Sequence, residues 1–166
     1  MVTLKESILK SVRAGKYAYF PKTKEELVEM IKKEISEKGN NCSLNHIDIS
    51  NIKDLSYLFS CKVNVLGTNK IYGHGLYEFN GDISCWDVKD VKDMHGMFFG
   101  SKFTGENGDI SGWDVSNVED MESMFYSDKG FNLDISNWAI KDKCDTYKMF
   151  SNCPIKEKYK PKRLQK

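Results

Sequence analysis

Arginine is nearly missing from this 166-residue chain, with Arg13 and Arg163 the only two among 25 basic residues. No apolar run nears the ~18 residues a membrane span needs. Net charge is close to nil, +1, so whole-chain electrostatics select no partner. Cysteine pairs of the C-x-x-C type are missing too. The five cysteines are odd in number, which argues for reduced thiols rather than a secreted disulfide framework. His46, His74 and His95 lack the H-x-x-x-H spacing of a zinc site, and Gly67–Lys70 is no phosphate-binding loop. The opening ten residues scatter charges among apolar positions and do not read as an export signal. Membrane-spanning, collagen-like and disordered classes are thereby excluded. The expected location is the cytoplasm, or the cell surface if the chain is part of a larger exported one.

What remains is a soluble composition with charge laid out in blocks. Residues 1–40 carry +3, residues 41–153 carry −7 and residues 154–166 carry +5. Two helices are predicted at the start. Thr3 and Glu6 space a capping box for one over 4–14. Thr23 and Glu26 do so for a second over 24–38, whose apolar stripe is Leu27, Met30, Ile31 and Ile35 and whose stop is Gly39.

From Leu44 the chain repeats. Trp86, Trp113 and Trp138 step by 27 and 25 residues, and Phe98, Phe125 and Phe150 keep the same steps. A shift of 39 puts Ile47 under Trp86 and Phe59 under Phe98, giving four repeats with an insertion of about 12 residues after the first. The expected fold class is an α/β repeat, a right-handed solenoid of about four coils, each a short strand plus a short helix or 3₁₀ turn. Its predicted divisions are a helical cap over 1–43, repeats over 44–153 with the insertion at 61–78, and a basic tail over 154–166. The Trp and Phe series are expected as two stacked core columns.

The stretch Asn80-Gly81-Asp82-Ile83-Ser84-Cys85-Trp86-Asp87-Val88, running into Met94-x-x-Met97-Phe98, resembles the repeat of the BspA-family leucine-rich-repeat-like surface proteins of bacteria. That resemblance implies a right-handed leucine-rich-repeat-like solenoid that binds proteins or surfaces without catalysis.

The residues themselves favour binding over chemistry. No catalytic, cofactor or metal residue stands out. The columns Asp82/Asp109/Asp134 and Asp87/Asp114 raise calcium as a question, but each Asp is better read as accepting backbone N–H groups in its own turn. The insertion carries Tyr72, His74 and Tyr77 among glycines, and reads equally as a binding loop or a covering hairpin. With Asp90, Glu119 and Glu122 these form the candidate partner-binding set, suited to a basic protein. The basic tail suits an acidic partner or a solvated end, and nucleic acid is disfavoured. The function expected is a non-enzymatic protein-binding module, in one form an inhibitor or immunity-type protein of a phage or mobile element. The alternative is a surface adhesion protein or a fragment of one.

Overall fold

The computed structural model describes residues 15–64 and 71–166; the helix expected over 4–14 lies outside them. Helix α1 spans Lys24–Lys38 and begins as its capping signal dictates. Thr23 Oγ1 accepts the Glu26 N–H at 3.2 Å. The Glu26 carboxylate accepts from Lys22 N at 2.7 Å, one residue upstream of the reciprocal partner a capping box uses. Gly39, at φ 83°, ends the helix by donating to Ile35 O. The buried face is Leu27, Val28, Ile31 and Glu34, rotated from the predicted stripe so that Met30 and Ile35 lie at its margin.

Beyond α1 the expected α/β solenoid does not form. Among the described residues the only strands are β1 (Val63–Asn64) and β2 (Ile71–Tyr72), an antiparallel pair inside the insertion. The segments predicted as strands, such as 83–88, are turns closed by Trp86 N→Ile83 O and Val91 N→Val88 O. The segments predicted as short helices, such as 94–98, fail for a different reason. There the alternate N–H groups of Met94, Gly96, Phe98 and Gly100 donate to Asp120, Glu122, Met124 and Tyr126 O of the next repeat. Groups spent between repeats are lost to an i→i−4 helix.

The repeats nonetheless stack. Single parallel bridges join Asp54 to Asp93, Asp93 to Asp120 and Asp120 to Asp145. Each bridge stays one residue long because a left-handed residue follows three positions on. Tyr57, Gly96, Ser123 and Lys148 all sit at φ 54–55° in register. That backbone curls the chain out of extension before a second ladder rung can form.

The Phe column forms as the register predicts, and of the Trp series Trp113 and Trp138 stack while Trp86 packs on Phe59. Phe59, Phe98, Phe125 and Phe150 stack with centroids 5.3–5.7 Å apart and planes within 12°. Trp113 and Trp138 stack at 6.3 Å. The indoles of Trp86, Trp113 and Trp138 each donate to a carbonyl of the preceding repeat, Leu44, Ile83 and Ile110 O, which satisfies their buried N–H groups. Phe79, Phe103 and Phe131 fill the spaces beside the Phe column. α1 lays Leu27 and Ile31 into the same core. The basic tail is docked, not loose: Ile155 and Pro161 are buried, Ile135 N donates to Tyr159 O, and the Arg163 guanidinium binds Lys141, Asp142 and Cys144 O.

Candidate functional site, an acidic tyrosine-lined cleft

The Asp columns are turn-formers. Asp82, Asp109 and Asp134 each accept the N–H two residues on, at 2.7–3.0 Å. Asp87 and Asp114 do the same at 3.3 and 3.1 Å. These bonds hold the carboxyls of Asp82, Asp114 and Asp134 below the usual range; for Asp82 burial opposes them. Among the described residues no group of three or more acidic, histidine or cysteine side chains is placed to hold a metal ion.

A fourth column does more than make turns. Asp54, Asp93, Asp120 and Asp145 cap their turns in the same way, at 2.7–2.8 Å. Two residues on, the register lines up Ser56, His95, Glu122 and Tyr147 in a row. Beside that row Ser56, Tyr57, Tyr72, Asp93 and His95 enclose a cleft of about 400 Å³. Tyr57 and Tyr72 stack on each other at 5.1 Å, so β2 contributes one wall.

The polar chain in this cleft runs from repeat to repeat. Tyr57 Oη lies 2.7 Å from His95 Nε2. Burial, reinforced by Glu122, Tyr72, Asp120 and Asp93, pushes the Tyr57 phenol up, so it keeps its proton. The other ring nitrogen, His95 Nδ1, faces Asp120 Oδ2 at 3.6 Å and Glu122 Oε2 at 3.8 Å. Burial, with Asp54 and Asp120 nearby, also pushes the Asp93 carboxyl up. Lys24 compensates Asp54 at 2.9 Å and also reaches Ser56 Oγ at 2.7 Å. Among the described residues no lysine or arginine reaches Asp93, Asp120 or Glu122.

The candidate set from the sequence is only partly brought together. Tyr72 lines this cleft, and Glu122 lies beside it, 3.8 Å from His95 Nδ1. His74 lies beside α1, where burial chiefly, then Lys24 and Lys32, hold its pKa down. Tyr77 sits under Lys102, which also pairs with Glu78 at 2.7 Å. Asp90 is paired with Lys53 at 3.4 Å and Glu119 with Lys92 at 3.0 Å, so both are already neutralised. Sequence reasoning missed Tyr57, His95, Asp93 and Asp120 as members. The repeat register that aligns Ser56, His95, Glu122 and Tyr147 was the signal that could have found the row.

All five cysteines are free, and burial raises Cys42 and Cys61 above the ordinary value and Cys144 and Cys153 to about 11.

A family described as "Mycoplasma protein of unknown function, DUF285" matches residues 25–161. The chain belongs to that family. The match takes in α1 from its second residue, every repeat, the cleft and most of the docked tail. No curated protein and no solved structure matches. Membership of the family thus assigns no activity to the cleft. Among the described residues, no helix is long and apolar enough to cross a membrane.

Proposed function

We propose that the chain is a non-enzymatic protein-binding repeat module whose cleft at Tyr57, Tyr72 and His95 receives a basic side chain of a partner protein. The observation that carries this reading is the cluster of carboxylates beside the tyrosine rings. Asp93, Asp120 and Glu122 lie around the Tyr57–His95 pair with no lysine or arginine within ion-pair distance of them among the described residues, and burial pushes Asp93 toward its neutral form. A lysine or arginine entering the cleft meets tyrosine faces and carboxylates together, gaining cation–π and charge attraction in one place. The protonated Tyr57 phenol beside His95 suits hydrogen bonding to a bound side chain.

The test is calorimetric titration with a lysine- and arginine-bearing peptide, against the same peptide with those residues changed to glutamine. Tyr72→Ala and Glu122→Gln should each weaken binding by about 5–10-fold, the scale of one cation–π or charge contact. Tyr77→Ala should leave it unchanged. Equal affinity for both peptides, or no effect of Tyr72 and Glu122, would sink the reading.

A further inference from the structure

Every repeat but the last spends the same four N–H groups on its successor. Leu55, Tyr57, Phe59 and Cys61 donate to the second repeat. Met94, Gly96, Phe98 and Gly100 donate to the third, and Met121, Ser123, Phe125 and Ser127 to the fourth. In the fourth repeat the equivalent donors are Thr146, Lys148, Phe150 and Asn152, and these N–H groups have no acceptor among the described residues. The tail supplies a carbonyl elsewhere, Tyr159 O to Ile135 N, and covers core with Ile155 and Leu164, but it does not pair with this edge. Between edge and tail lies an open cleft of about 280 Å³ lined by Thr146, Lys148, Phe150, Lys160, Leu164 and Lys166. At the far end, by contrast, α1 and the Ala18–Tyr19 segment lie over the first repeat.

We propose that this edge is a second docking site, which takes an extended acidic segment of a partner protein by main-chain pairing. Four orphan donors in a row ask for four carbonyls, because an unpaired backbone edge is a template for another chain. The charge of the cleft says which chain. Lys160 is shared with Glu157, but Lys148 and Lys166 have no carboxylate within ion-pair distance among the described residues. The left-handed residues Lys148 and Asn152, at φ 54° and 60°, curve the edge, so a straight strand does not follow it. The second repeat follows the same curve with Gly96 and Gly100 and the third with Ser123 and Ser127, so a docking segment needs left-handed residues four apart, which glycines among acidic residues supply at least cost. This site is independent of the tyrosine cleft, and its ligand has the opposite charge.

The experiment is an NMR titration of the full chain with a dye-labelled peptide, Asp-Glu-Asp-Gly-Glu-Asp-Glu-Gly-Asp, read by amide hydrogen exchange and by fluorescence anisotropy. The expected result is slowed exchange at Thr146, Lys148, Phe150 and Asn152 on binding. Affinity should fall at least tenfold in Lys148→Glu/Lys166→Glu, whose fold is checked by its unchanged thermal midpoint. Binding that leaves those four amides exchanging freely would overturn the proposal in favour of simple charge attraction. Full competition by inorganic phosphate would overturn it in favour of a small-anion site. Protection of the four amides by self-association without peptide would assign the edge to a second copy, and no binding would remove the site. None of these outcomes touches the lysine-peptide test of the tyrosine cleft.

Discussion

The Tyr57 ring lies over Gly96 of the next repeat, so close that a Cβ built on Gly96 would meet ring atoms at 2.6 and 2.8 Å. Both residues hold left-handed backbone at the same repeat position, and the phenol they bring into place bonds His95. The cleft thus depends on a glycine that bears no functional group.

Gly96→Ala should therefore destabilise the chain by about 2–4 kcal/mol, the sum of a left-handed penalty and an overpacking clash. Gly96→Ala in a Tyr57→Ala background should recover the clash portion. Chemical denaturation of the two single variants and the double variant measures the recovery; strictly additive losses would show that the ring is not what Gly96 accommodates.

Ser123 occupies the equivalent position in the third repeat at φ 54° with a side chain that no ring demands. Ser123→Gly should stabilise by about 0.5–1 kcal/mol, because relief of the left-handed cost exceeds the added chain entropy of glycine. A lowered denaturation midpoint would contradict this.

The Phe column is a shared core, so a loss in its middle should be felt by the whole stack. Phe98 touches Phe59, Phe103 and Phe125. Phe98→Ala should cost about 3–5 kcal/mol. A single cooperative thermal transition at lower temperature is the expected readout, and a change below ~1 kcal/mol would mean the column repacks freely.

Asp128 is fully buried and bonded by Ser101 Oγ at 2.6 Å and by the Gly130 and Phe131 N–H groups. Burial outweighs these bonds and pushes its carboxyl up to about 6. The folded chain therefore holds a proton there that the unfolded chain, with an ordinary aspartate pKa of ~3.9, releases. Its contribution to stability is complete below pH ~4 and is lost as pH rises through about 6, a swing on the order of 3 kcal/mol. Asp128→Asn should keep the packing and remove this dependence. Denaturation of both proteins at pH 4, 5, 6 and 7 measures it, and parallel curves would refute the assignment.

Much of the core was legible in the sequence because it is periodic. Steps of 27 and 25 residues aligned the Phe and Trp columns, and the Thr23–Glu26 spacing marked the start of α1. The local form of each repeat was not legible. A row of β-branched and aromatic residues looks the same whether its N–H groups pair in a strand or alternate between a turn and a neighbouring repeat. The candidate site shows the same limit. Tyr72 and Glu122 lie by the tyrosine cleft, whereas Asp90 and Glu119 pair with Lys53 and Lys92, whose reach depends on the stacking.

The sequence by itself determined that four like segments stack with their rings in register, since identical apolar spacing can be buried only against its own copies. Only the tertiary structure decided which backbone groups each repeat gives to the next. That choice is set by left-handed residues such as Tyr57 and Lys148, whose φ no residue type other than glycine announces. It also decided that Tyr57 meets His95, and that the last four N–H donors face an open, lysine-lined cleft.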